Sequence, residues 1–210
     1  MNMETGLRLE SLVIGYTEPI QGPISIEVNP GEILAVLGPS GCGKSTLLST
    51  IAGVIPQLGG SISIDGHVVD ETPIHERKIG IVFQEPLLFP QLSLIDNIAY
   101  GMRTRGIGKS ESRERAAELL DWVGLNTIKD QRTWEISGGQ AGRVALARAL
   151  ASEPKALLFD EPYSALDSAT RLRIAQEVAD ILRVKNIPAI HVTHDPLEAE
   201  SLATNTLTFI

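Results

Sequence analysis

The stretch Gly38-Pro39-Ser40-Gly41-Cys42-Gly43-Lys44-Ser45-Thr46 constrains this chain more than any other. It matches G-x-x-x-x-G-K-[ST], a loop that surrounds phosphate oxygens with backbone N–H donors. Such a loop needs a strand before it and a helix after it. Residues 32–37 read as a buried strand and residues 46–52 as a helix. Gly38, Gly41 and Gly43 let the backbone curl so that successive N–H groups point inward. The helix opens at Lys44 and adds its positive end. Lys44 is placed to reach the β- and γ-phosphates, and Ser45 to hold Mg²⁺. Cys42 reads as a small residue in a tight loop.

Composition narrows the class. The chain has 210 residues, of which 43% are hydrophobic, enough for one domain or one domain with a large insert. Its longest apolar runs fall far short of the roughly 18 residues that a membrane helix needs. Residues 1–10 lack the apolar core of a signal peptide, so the chain is expected to stay where it is made. The single cysteine rules out an internal disulfide and suits a reducing compartment. A net charge of −8 argues against a general binder of nucleic acid or anionic lipid.

The apolar pattern places the elements. Residues 7–16 alternate as a strand, with Leu7 and Leu9 in one phase and Leu12 and Ile14 in a shifted one. Residues 20–28 form a second strand. After the strand at 32–37, residues 61–66 form a fourth, closed by Asp65-Gly66, and residues 79–83 a fifth. From about residue 90 to 134 the pattern turns helical, with a helix over 111–123 and Ser110 as its cap. A further helix spans 137–150. Residues 156–160 are a fully apolar strand of the parallel type. A helix over 167–183, a strand over 189–193, a short helix over 196–202 and a strand over 207–210 follow. Trp122 and Trp134 read as packing within the helical insert, and His191 as a core histidine.

Two further stretches carry chemistry. Asp160 and Glu161 lie at the carboxyl end of the apolar strand, where open α/β sheets bind ligands. Adjacent strand residues point to opposite faces, so Asp160 is expected on a metal and Glu161 as the base for an attacking water. Ser137-Gly138-Gly139-Gln140 is a helix start without bulky side chains, open to an anion. Taken alone it reads as an ordinary cap before a helix; as a second anion site in a chain that already has a phosphate loop, it would suit a nucleotide held by another copy.

With these motifs in place, the chain resembles the ATP-binding subunits of ABC transporters over essentially its whole length. Gly38 to Thr46 stands as the Walker A loop and Gln84 at the Q-loop. Ile136 to Gln140 is similar to the signature, and Leu157 to Pro162 to Walker B. Ser164-Ala165-Leu166-Asp167 is similar to the D-loop, and His194 sits at the switch histidine. Tyr16 takes the place of the aromatic that stacks on adenine. Ile136 replaces the usual Leu, and Ala141-Gly142 replace the polar residues that commonly follow the signature.

The resemblance implies an α/β fold: a phosphate-loop NTPase core (1–84 and 151–210) with an N-terminal antiparallel β subdomain and an inserted helical subdomain at about 85–150. It implies a single ATPase domain over 1–210 that uses ATP and Mg²⁺. Ser45, Gln84 and Asp160 would hold the metal, and Lys44, Glu161 and His194 would be catalytic. It implies a head-to-tail homodimer in which Ser137, Gly138, Gly139 and Gln140 of one copy meet the nucleotide of the other. Integral membrane permeases and a substrate-binding protein would be partners, and nucleic acid would not. The location would be the cytoplasmic face of the cell membrane. Residues 85–93 are similar to those of importers for molybdate, iron, thiamine or polyamines. Members of that type often carry a C-terminal regulatory domain, which a chain ending at Ile210 would lack. An export or lipid-handling subunit, a soluble non-transport ABC ATPase and a monomeric phosphate-loop kinase are the other readings.

Overall fold

The computed structural model describes residues 6–164 and 166–210. Ala165 of the D-loop stretch and residues 1–5 of the N-terminal stretch lie outside that description. The chain divides into two compact units, one of residues 1–81, 155–161 and 167–210, the other of 82–154 and 162–166.

The first unit opens with β1 (Leu7–Gly15), β2 (Pro19–Val28), β3 (Ile33–Leu37), α1 (Lys44–Ala52), β4 (Gly59–Ile64), β5 (His67–Val68) and β6 (Ile79–Val82). The second contains α2 (Leu94–Thr104), α3 (Lys109–Trp122) and α4 (Gly138–Leu150). The first unit then resumes with β7 (Ala156–Asp160), α5 (Ser168–Lys185), β8 (Ala189–Thr193), α6 (Pro196–Leu202) and β9 (Asn205–Thr208).

β1, β2, β4 and β5 form an antiparallel sheet in the order β2-β1-β4-β5. Leu7 pairs with Val28 and Ile64, and Leu9 with Ile26 and Ile62, so one face of β1 is apolar. The register shifts between Leu9 and Leu12, where Ser11 takes φ 48°. That bulge is why the sequence changes phase: it returns Leu12 and Ile14 to the buried face. Asp65 and Gly66, at φ 49° and 76°, make the tight turn between β4 and β5.

The second sheet has the order β6-β7-β8-β3-β9, with parallel ladders β7–β8, β8–β3 and β3–β9. β8 is buried at every residue, as expected for a sheet covered on both faces. Leu47, Leu48 and Ile51 of α1 pack with Leu34, Val36, Leu158, Ile190 and Val192 and with the inward face of the antiparallel sheet. β9 begins two residues before the apolar pattern suggests, because its ladder with β3 starts at Asn205 opposite Leu34.

A buried guanidinium anchors the far end of α1. Arg77 is 6% exposed; it donates to Ile51 O (2.9 Å), Asp70 O (2.9 Å) and Thr72 O (2.9 Å). Gly53 ends α1 at φ 83°, and a Cβ there would lie 2.6 Å from the Arg77 guanidinium. Arg77→Ala strands these carbonyls in the interior, so chemical denaturation is expected to show a loss of about 3 kcal/mol. Lys at 77 lacks the planar fork and is expected to recover little of it.

In the second unit, Ser93 caps α2 by accepting from Asp96 N at 3.3 Å. α3 is capped by Gly108 and not by Ser110: Ser112 N already donates to Gly108 O at 2.9 Å, which draws Ser110 into the first turn. Trp134 is not interior packing: it is 69% exposed on a three-residue helical turn without buried residues, whereas Trp122 at the end of α3 is 41% exposed. Asn97 is fully buried and bonds both the N–H (2.8 Å) and the carbonyl (3.1 Å) of Phe89. Arg148, near the end of α4, donates to Pro86 O (3.0 Å) and Leu87 O (2.8 Å) and lies over the Phe89 ring. These grips hold the 86–89 loop with Leu87 exposed. Among the described residues no helix is long and apolar enough to cross a membrane.

Candidate functional site

β3 ends at Leu37 and α1 begins at Lys44, and the residues between form the phosphate-type loop. Gly41 (φ 83°) and Gly43 (φ 101°) take left-handed backbone that side chains disfavour. Gly38 is required for a different reason from the one expected. Its φ is not positive, but a Cβ there would lie 2.7 Å from Cys42 Sγ and 2.9 Å from Phe209 O. Gly43 is the N-cap of α1 and offers no side chain, and the first turn carries no acid. That leaves the positive helix end open to an external anion. Pro39 and Ser40 complete the loop, and Thr46 lies in the first turn of α1.

Lys44 is 5% exposed, and its Nζ donates to Gly38 O (2.7 Å) and Pro39 O (2.8 Å). A buried ammonium needs such partners. Nζ also lies 3.9 Å from Glu161 Oε1. The other Glu161 oxygen, Oε2, is 2.9 Å from His194 Nδ1. Ser45 Oγ donates to Asp160 Oδ1 at 3.1 Å. Five of the expected residues thus meet in the first unit: Lys44, Ser45, Asp160, Glu161 and His194.

Asp160 and Glu161 do not point to opposite faces, as strand alternation suggested. β7 ends at Asp160, and Glu161 adopts φ 46° while its N–H still donates to Val192 O at 3.1 Å. The left-handed turn swings Glu161 to the same side as its neighbour. A non-glycine residue in that region is strained, and such strain gathers at working sites.

Burial pushes the Asp160 carboxyl above the usual carboxylate range, and the charge of Glu161 adds to this; the Ser45 hydrogen bond and the charge of Lys44 oppose it. The folded chain therefore holds this proton more tightly than the unfolded one. The contribution to stability is full below the ordinary carboxylate pKa and is lost as pH rises through the raised one. At neutral pH the ionised Asp160 is a standing cost. Asp160→Asn is expected to melt no lower than the parent at neutral pH, with the difference shrinking toward acid pH. A clearly lower melting temperature at neutral pH would contradict this assignment.

The donor set fits a hard cation. A hydroxyl and a carboxylate oxygen stand 3.1 Å apart. Neighbouring oxygens around Mg²⁺ are about 2.9 Å apart, from its octahedral bond lengths. Among the described residues no group of three or more His, Cys, Asp or Glu side chains gathers to hold a metal.

The other expected residues lie elsewhere. Tyr16 follows β1 in the first unit with its side chain 66% exposed. Gln84 belongs to the second unit, where its amide donates to Ser164 Oγ at 3.0 Å. Ser137 caps α4 in that same unit: its Oγ accepts from Gln140 N (3.3 Å), and Gln140 Oε1 accepts from Ser137 N (2.9 Å). The Gly138 and Gly139 N–H groups take no part in this capping box. A Cβ on Gly138 would meet nothing within 4 Å, so this chain's own packing does not require glycine there.

The profile of the ABC transporter family matches residues 22–164. The chain belongs to that family. An Fe(3+) ions import ATP-binding protein of Rhizobium etli is 44% identical over 176 residues, covering 84% of this chain and 50% of the relative. One of Haemophilus influenzae is 44% identical over 176 residues, covering 84% and 54%. An sn-glycerol-3-phosphate import ATP-binding protein of Rhizobium johnstonii is 41% identical over 189 residues, covering 90% and 51%. The chain spans about half the length of the curated relatives it matches. The phosphate-loop α/β architecture expected for the family is the one observed, with one antiparallel and one mainly parallel sheet.

Sequence reasoning gave no role to Glu198. Its signal was present: a glutamate in the first turn of the helix that follows a strand carrying His191 and Thr193 on one face.

Proposed function

We propose that this chain is an ATP-binding and ATP-hydrolysing subunit that powers import through separate membrane subunits. The observation that carries the reading is the cluster at the N-terminus of α1. There a base, a cation and a metal-type donor pair face the loop: Glu161 with His194, Lys44, and Ser45 with Asp160.

The loop N–H groups and Lys44 hold the phosphates, and Tyr16 offers a ring to the base. Ser45 and Asp160 would hold Mg²⁺. When bound, that ion neutralises charge developing on the phosphate oxygens. Glu161 accepts the proton of the water whose oxygen bonds to the γ-phosphorus. The bond from that phosphorus to the bridging oxygen breaks, and its electron pair leaves with ADP. His194, 2.9 Å from Glu161, orients the carboxylate.

A second copy supplies Ser137, Gly138, Gly139 and the capping Gln140 head-to-tail. The open space around Gly138 supports this, because it leaves room for something outside the chain. In this reading residues 1–210 form one ATPase domain, with its helical subdomain at about 85–150. It works at the cytoplasmic face of the membrane beside permeases and a substrate-binding protein. The two kinds of relative are named for different cargoes, Fe(3+) and sn-glycerol-3-phosphate, so cargo choice belongs to other polypeptides. The loop with exposed Leu87, gripped by Asn97 and Arg148, is a firm surface for a permease. Purification of the tagged chain from detergent-solubilised membranes is expected to bring integral membrane proteins with it. Recovery of an active ATPase without any would favour the non-transport reading.

A further inference from the structure

We propose that the buried pair His191–Glu198 positions His194, acting through Thr193 and Asp195; the inference rests on the role given to His194 above, that of orienting Glu161. His191 and Glu198 are each 3% exposed. Glu198 belongs to the first turn of α6, and its carboxylate reaches back to β8 with both oxygens. Oε1 is 2.6 Å from His191 Nε2, and Oε2 accepts from Thr193 Oγ1 at 3.0 Å. Thr193 Oγ1 in turn accepts from Asp195 N at 3.1 Å. The Asp195 carboxylate caps α6 through Leu197 N (2.9 Å) and pairs with Arg171 (2.9 Å).

The residues on either side of His194 are therefore both fixed in one network, while the His194 side chain itself is 55% exposed. With Thr193 and Asp195 held, the direction in which His194 leaves the backbone is set, and it meets Glu161. The His191 ring also lies 5.5 Å from that of Phe159, one residue before Asp160. One buried group thus touches the strand of the carboxylates and, through Glu198, the turn of the histidine. For stability alone the pair is a poor choice, since buried ionisable pairs are often no better than apolar residues of similar volume. A gain in geometry explains its presence.

Thr193→Val tests this with little change in volume, and Glu198→Leu removes both links at once. In Thr193→Val, kcat for ATP is expected to fall by about tenfold or more, through misplacement of His194. KM is expected to hold, because the loop around Lys44 is untouched. Glu198→Gln, which keeps hydrogen-bonding atoms in place, is expected to retain most of the rate. In a His194→Ala background Thr193→Val is expected to add no further loss. An equal loss with and without His194, or a lowered melting temperature at unchanged kcat, overturns the inference.

The His194 imidazole resonances give a readout independent of turnover. In the parent they are expected to shift on Glu161→Gln. In Thr193→Val, or in Glu198→Leu if it folds, that dependence is expected to vanish. If this pattern is found but the parent does not hydrolyse ATP, the proposed function falls and the positioning stands. If the dependence persists in Thr193→Val, the positioning falls whatever the rate.

Discussion

Glu161→Gln is expected to stop ATP turnover while leaving ATP binding intact, and to hold the chain as an ATP-bound dimer. In the proposed site Lys44, Ser45 and Asp160 account for phosphate and metal, so glutamine at 161 would remove no ligand of the nucleotide. It removes the proposed acceptor of the proton from the attacking water, a contribution worth roughly 10²–10⁴-fold in rate. The replacement is close to isosteric and keeps an acceptor for His194, 2.9 Å away in the parent. It also deletes one of two adjacent negative charges near the γ-phosphate, which favours closure. Size-exclusion chromatography with Mg-ATP and again with Mg-ADP reads the outcome: a dimer with the first and a monomer with the second. A monomer in both, with tight ATP binding retained, favours the single-chain kinase. Full activity would remove Glu161 from the catalytic role.

Lys44→Ala is expected to abolish turnover and to weaken nucleotide binding. The lysine carries two tasks in this structure. Its charge is the cation nearest the loop, and its Nζ ties the Gly38 and Pro39 carbonyls together from within. Loss of charge-assisted bonds of this kind costs about 1.5–3 kcal/mol, or roughly ten- to hundredfold in affinity. Calorimetric titration with Mg-ATP, beside steady-state phosphate release, measures both effects. Near-normal turnover would mean that hydrolysis takes place at another loop.

Much of the first unit was legible because its physics is local. The run before Asp160 has no polar residue to place on an outer face, so it had to be a covered strand. The change of phase after Leu9 was visible, although only the backbone shows that it is a bulge with Ser11 as its pivot. The grouping of Lys44, Ser45, Asp160, Glu161 and His194 followed from motif order. The common direction of Asp160 and Glu161 did not, because strand alternation holds only inside a strand and Glu161 has already left it. Ser110 was a misleading cap: serine favours that place, but the chain starts the turn two residues earlier at Gly108. Trp134 misled for a related reason. An aromatic in a helical stretch suggests packing, and only the short turn around it reveals that it faces solvent. Glu198 escaped notice because its partners come from across a turn, and no periodicity records that.

α4 has a working feature at each end. Ser137 stands at its start, and Arg148, about 16 Å further along at 1.5 Å per residue, grips the carbonyls of Pro86 and Leu87. A helix held in this way has little freedom to move at one end alone. If the proposed function holds, with a partner on the loop and phosphate at Ser137, this helix would join the two sites as a single stiff member, and thermodynamic reciprocity would apply to what binds at either end. A permease that grasps the loop more tightly when phosphate rests on Ser137 must, by the same factor, make phosphate rest there more tightly.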